Sequence, residues 1–375
     1  MRARSGGFSL IELMVAVTLA LITVIVVMQV LTVYEARRRT TTAANDSEIG
    51  ASVGLHMIER EVRMAGAGLT LPAGFVCAGG VNIFHGGATI SDGQPLAPLS
   101  IVDGGAGPDR IRVLRSDSEF GVAPATIVQN MANASSVITV NSSVGLSAGD
   151  LALVGGAEGT KTCTLIQMSD APDALANGWE LSHSPVAAAP YNPAAPGAAF
   201  SDAPSYEVGD IVVNLGRLGL RAYGVVCNDG GAPAASNTCD LASWDAIAGP
   251  ANPALAQADS ITPQVVNLQA QYGVAPANSQ TVNEWVDATG ATWAAPGAAD
   301  QARIKAVRLA IVTRSENREP EDLPPDEIVL WNDGDVDGDG DDDTATMPLV
   351  GDERRYRYSV LRVVIPLVNV IWAGV

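Results

Sequence analysis

The sequence predicts an α+β chain: one long N-terminal hydrophobic helix packed on a β-rich, antiparallel head with long loops. Three observations carry that expectation. Residues 6–31, GGFSLIELMVAVTLALITVIVVMQVL, are almost entirely apolar. After residue 72 the pattern changes to short alternating runs separated by Gly/Pro turns. The composition fits such a head, with 38 Gly, 22 Pro, 5% aromatic residues, and lysine only at Lys161 and Lys305.

Taken in order, residues 1–7 (MRARSGG) form a short basic leader carrying Arg2 and Arg4. Residues 8–34 form a membrane-length helix. Between Glu12 and Glu35 no residue carries a formal charge, and at about 1.5 Å per residue that stretch crosses the roughly 30 Å hydrocarbon layer. A cleaved secretory signal has a shorter apolar core and a small-x-small site, neither of which is present. A plain signal anchor fits the length but not Glu12, because a carboxylate in the bilayer costs about 2.5–3.5 kcal/mol and needs a partner.

Residues 35–71 read as an amphipathic continuation of the helix. Ala51, Leu55, Ile58, Val62, Ala65 and Leu69 make one apolar stripe, and Gly66, Gly68 and Pro72 are stop signals. The stripe is expected to pack on the head's own sheet, with a seam between subunits as the other use for it.

The head, 72–375, contains nine runs that read as strands: 110–116, 136–140, 151–155, 163–168, 210–216, 220–227, 265–274, 304–315 and 355–368. In 265–272, Val266, Leu268, Ala270 and Tyr272 alternate with polar residues. Segments 184–205 and about 229–262, rich in Ala, Pro, Gly and Ser, read as loop-rich insertions with little to anchor a core. No internal repeat is present.

The formal charge is −19, which repels phosphate backbones and argues against a nucleic-acid partner. Much of it sits in one acidic loop, 333–343, DGDVDGDGDDD. Asp333, Asp335, Asp337, Asp339 and Asp341, with Gly338 at the sixth place, follow the spacing of a calcium-binding EF-hand loop. Position twelve is Thr344 rather than Glu, so a structural Ca²⁺ would need another ligand. The plainer alternative is a solvated charge run. The strand EIVLW (327–331) precedes this loop, and an Arg-rich strand is expected after it.

The four cysteines in an exported chain suggest disulfides. Cys227 and Cys239 bracket a turn-rich loop and form the preferred pair, which leaves Cys77–Cys163. Buried free thiols are the alternative. No catalysis is expected. His56, His85 and His183 are scattered without a metal or nucleophile motif, and GGAGPDR (104–110) lacks the Lys and helix of a phosphate loop.

The phrase GFSLIE followed by an unbroken apolar helix resembles the type III signal of type IV pilins and type II secretion pseudopilins. By that resemblance a prepilin peptidase cuts between Gly7 and Phe8 and methylates the new amine of Phe8. Glu12 then neutralises the N-terminal amine of a neighbouring subunit, each charge being costly alone and tolerable when paired. The basic leader places the N-terminus in the cytoplasm. Arg37, Arg38 and Arg39 count against that tally, so the resemblance settles the orientation. No proline interrupts residues 8–71, unlike many major pilins.

HMIEREVRMAGAGL (56–69), VVNLQAQYGV, AVRLAIVTRS (306–315) and YRYSVLRVVIPLVNV (356–370) resemble the PilW-type minor pilins; the two insertions do not. The resemblance implies a minor subunit that helps initiate type IV pilus assembly in a tip complex. Its implied partners are other minor pilins, the major pilin, the peptidase, the inner-membrane assembly platform and a large tip adhesin. It implies a single-pass inner-membrane protein with its head in the periplasm, moving to the pilus tip at the cell surface. A J-type pseudopilin of type II secretion and a tip adhesin or binding module are the alternatives.

Overall fold

A computed structural model describes all residues except 1–8, 68, 72–73, 76, 78, 117–123, 160, 217–218, 334–343 and 373–375. One helix runs unbroken from Leu10 to Arg63. It ends eight residues before the expected limit of 71, and Met64–Ala67 are in turns. The stripe outlasts the helix, because Ala65 and Leu69 remain buried as the chain turns away. The helix's end is met from far along the chain: Asn369 Nδ2 donates to the carbonyls of Arg63, the last helical residue, at 3.5 Å and of Ala65 in the following turn at 3.0 Å.

The stripe packs on the head itself. Ile58 and Val62 are fully buried against Leu268, Leu309, Ile311 and Ile365. Each such burial stabilises the fold by about 1.5–3 kcal/mol. The helix approaches its support closely where it has no side chain: a Cβ on Gly54 would lie 2.9 Å from Leu241 Cδ2. Beside it the Thr262 hydroxyl donates to the Gly50 carbonyl at 2.8 Å.

The head holds three larger sheets. The four-stranded one runs in the order Glu284–Val286, Val265–Val274, Ile304–Arg314, Tyr358–Pro366, all antiparallel. One face carries the helix. The other carries the hairpin Glu327–Asn332/Thr344–Pro348, through Ala310, Val312, Ile328 and Leu330. The five-stranded sheet runs Asp259–Pro263, Cys239–Asp245, Gly219–Cys227, Arg110–Arg115, Leu99–Val102. The nine-stranded sheet begins at Asp173–Leu175 and ends at Ala88–Gln94. Its pairings are antiparallel except for Cys163–Gln167 with Val81–His85.

All nine strand runs read from the sequence are strands. Three expectations need correction. A register shift between Val265 and Asn267 breaks the alternation, so Val265 rather than Val266 joins Leu268 under the helix. Residues 229–262 are not an unanchored insertion: they supply two strands, with Leu241 and Ala242 fully buried. The strand after the acidic loop is Thr344–Pro348, which closes a hairpin; the Arg-rich strand comes next. Segment 184–205 is mostly irregular, with one short helix, Pro196–Ala199, yet Ala189 and Phe200 are buried.

Two buried polar groups tie the five-stranded sheet to the four-stranded one. The Tyr272 hydroxyl, inside a fully buried ring, accepts from the Ile101 N–H at 2.7 Å. Asp109 accepts from the Gly104 and Ala270 N–H groups, both at 2.8 Å. Burial raises the Asp109 carboxyl to about 7 against the lowering effect of those two donors. Because the folded pKa lies above the unfolded one, this group's contribution favours the fold at low pH and is lost as pH rises through about 7.

Candidate functional site: the exposed apolar helix

The first half of the helix is an apolar cylinder with none of the described residues packed against it. Leu10–Glu35 has a mean hydropathy of 2.8 and none of it is buried. Leu10 and Ile11 are 79% and 72% exposed. The hydroxyls of Thr18, Thr23 and Thr32 donate back to the carbonyls of Val15, Leu19 and Gln29, so they make no demand on the surroundings. From Leu13 to Val33 there is no ionisable side chain.

Glu12 is the exception, in the first turn. Its Oε2 accepts from the Ser9 N–H at 3.4 Å, a weak bond at the positive end of the helix dipole. The carboxylate is otherwise exposed on the apolar surface. In water this costs nothing. In lipid or between packed helices it demands a cation. Gly7 and Phe8, between which the cut is expected, lie outside the described residues.

A second stripe was not anticipated from the sequence. Ile49, Val53, Met57 and Met64 are 64%, 54%, 48% and 38% exposed, on the side of the helix turned away from the head. Their spacing of four, four and seven is legible in the sequence, on the face opposite the buried stripe. They carry the exposed apolar surface of the membrane-length segment onto the head-bound half.

Both expected disulfides form, Cys77–Cys163 and Cys227–Cys239, and no described cysteine is free. The second joins directly opposed residues of neighbouring strands. The first needs Gly155, where a Cβ would lie 2.3 Å from the Cys163 sulfur.

Of the proposed calcium ligands, Asp335, Asp337, Asp339 and Asp341 lie outside the described residues. Asp333 has another partner. The Arg308 guanidinium donates to both its oxygens, at 2.6 and 2.5 Å. Arg308 also donates to Gln271 Oε1 and lies 5.0 and 4.5 Å from the ring centres of Trp285 and Trp331. Those hydrogen bonds hold the Asp333 carboxyl below the usual carboxylate range.

The family model of the type IV pilus-assembly protein W matches residues 238–369, and the prokaryotic N-terminal methylation motif matches residues 2–28. The first match begins inside the stretch expected to fall outside the resemblance. It takes in Cys239–Asp245, the whole four-stranded sheet and the hairpin. Neither a curated protein nor a solved structure matches the chain. An exposed apolar helix under a methylation motif, joined to a head similar over residues 238–369 to the pilus-assembly protein W family, supports a type IV pilin-like minor pilin.

Proposed function

We propose that this minor pilin helps start pilus assembly and stands in the complex at the filament tip, as a structural subunit rather than a catalyst. The observation that carries the reading is the unpartnered apolar helix with one carboxylate in its first turn. Cleavage between Gly7 and Phe8 frees an amine one helical turn from Glu12. Across two staggered subunits that amine and the Glu12 carboxylate neutralise each other, which favours one axial register.

The chain is held in the inner membrane before assembly, with its head in the periplasm. Two disulfides in the head fit an oxidising compartment. Partners are the major pilin, other minor pilins, the peptidase, the assembly platform and a tip adhesin. The match to a pilus-assembly family favours the pilus over the J-type pseudopilin. Calcium in the acidic loop, held by Asp335, Asp337, Asp339 and Asp341 with Asp333 left to Arg308, is a structural role that fits the spacing.

Deleting the gene is the test. The expected result is loss of surface pili while the major pilin is still made and processed. Pili that persist but fail to bind would favour the adhesin reading; intact pili with a secretion defect would favour the pseudopilin.

A further inference from the structure

A sheet edge left open invites another strand, and natural proteins close such edges with short strands, bulges, charges, proline or a covering element. In this head the edges of the three larger sheets are closed, with one exception. Asp173–Leu175 and Glu284–Val286 are three residues each. Ala88–Gln94 is broken by register shifts. Asp259–Pro263 ends in proline and lies under the helix, where Thr262 is spent on Gly50. Leu99–Val102 gives its Ile101 N–H to Tyr272. The part of Val265–Val274 beyond its short neighbour is met by Asp109, which takes the Ala270 N–H and gives its own to the Leu268 carbonyl.

The exception is Tyr358–Pro366. It pairs with Ile304–Arg314 through nine residues without a register shift. The Ser315 N–H donates to the Arg357 carbonyl and the Leu367 N–H to the Lys305 carbonyl, both at 2.8 Å, so the odd-numbered residues face inward. The N–H groups of Tyr358, Val360, Arg362 and Val364 therefore point outward, and among the described residues nothing accepts them. The strand is largely apolar, and Val364 is 55% exposed. Its one charge does not guard the edge, because the Arg362 guanidinium is turned onto the carbonyls of Val329 and Leu330. Proline stands only at the last position.

We propose that this edge takes an extended strand from a different pilin-type subunit standing beside this one, which completes the four-stranded sheet as a fifth strand. The inference rests on the reading of the chain as an assembling minor pilin. The long helix packs on the sheet face that includes Val363 and Ile365, and Asn369, just beyond the strand, holds the helix's end. The helix lies over this edge strand, so a neighbour whose own helix packs alongside it has its head next to the open edge. A second copy fits poorly. Self-pairing would bring together two bodies of charge −19, which repel. The incoming strand needs free N–H and C=O groups over about five residues, with apolar side chains that extend the row of Leu361 and Val363.

The experiment uses the full chain, tagged and co-expressed with the pilin subunits of its own host, and compares Val364→Pro with Val364→Thr. Proline at 364 removes an outward N–H and leaves the inward ladder intact. The expected result is that Val364→Pro keeps both disulfides and its melting temperature, yet recovers at least about tenfold less of the other pilin subunits, while Val364→Thr recovers them as the parent does. Equal recovery by parent and proline variant overturns the edge pairing and leaves the proposed function standing. Equal loss in both variants also overturns it, since the side chain rather than the amide would then matter. Recovery of further copies of this chain alone overturns the choice of occupant. A parent that recovers no pilin subunit overturns the proposed function and this inference together. Should proline unfold the head, amide exchange on the parent decides: Val360, Arg362 and Val364 gain protection in the complex, and unchanged exchange contradicts the pairing.

Discussion

Glu12→Ala is expected to leave the chain made, inserted and cleaved, but to cut its recovery in sheared pili by about tenfold or more. A lost interaction of only about 1.4 kcal/mol gives that factor, and an unpaired amine between apolar helices costs more than that. Alanine is a strong helix former, so the helix itself should not suffer. Glu12→Gln separates charge from hydrogen bonding. It keeps the size and the acceptor for Ser9 but cannot neutralise a cation. If Gln assembles as well as Glu, the role of Glu12 is local capping of its own helix. If Gln fails as Ala does, the charge is what matters. Quantifying the chain in membranes and in pili for each variant distinguishes these outcomes.

The second large effect is expected at Arg308. It is buried, bonded to Gln271 and to both oxygens of Asp333, and flanked by Trp285 and Trp331. It joins the central strand of the four-stranded sheet to the end of the hairpin that covers it. Arg308→Ala removes the cation, leaves Asp333 alone and opens a gap between two indoles. Asp333 is exposed and rehydrates once alone, so the cost comes from the charged hydrogen bonds and stacking lost around Arg308, about 2–3 kcal/mol. For a head of this size that is a fall in melting temperature on the order of 10 °C. Arg308→Lys keeps the charge but loses the forked geometry and the stacking, so it should recover only part of the loss. The pH dependence has a definite sign. Asp333 is held below its unfolded pKa, so its contribution is complete above the ordinary carboxylate range and is lost as pH falls through the folded value. The parent's melting temperature should therefore drop in acid more steeply than that of Arg308→Ala. Parallel acid limbs would show that the pair contributes little.

The local patterns were legible in the sequence, and the contacts made across long separations were not. The apolar run, the carboxylate in its first turn, the buried stripe and nine alternating strands all follow from neighbours in the chain. So did the two disulfides, since four cysteines with one close pair leave few choices. The strand Cys239–Asp245 shows no apolar/polar alternation because both its faces are buried, Ala242 and Trp244 on one and Leu241 and Ser243 on the other. Small residues give a weak periodic signal in a stretch crowded with Ala, Pro and Gly. The helix stops at Arg63, short of the expected 71, while Ala65 and Leu69 keep the helical spacing after the chain has turned. Tyr272 with Ile101, Asp109 with Ala270 and Arg308 with Asp333 bring together residues 171, 161 and 25 apart. Nothing in the local pattern of either partner announces the other.

The open edge at Tyr358–Pro366 belongs to the same lesson. Its residues read as an ordinary strand, and only the sheet order shows that no described strand lies beyond it. Assembly would then use two surfaces with different physics. The helix supplies apolar area and one charge pair. The edge supplies directional hydrogen bonds that depend on register.

The mass of the N-terminal peptide of the chain isolated from cells, with and without the prepilin peptidase, bears on all of this most directly. With the peptidase present, the peptide should begin at an N-methylated Phe8, and without it at Met1. A chain that starts at Met1 in cells where the major pilin is fully processed would leave Glu12 with no amine to meet, and would contradict the account.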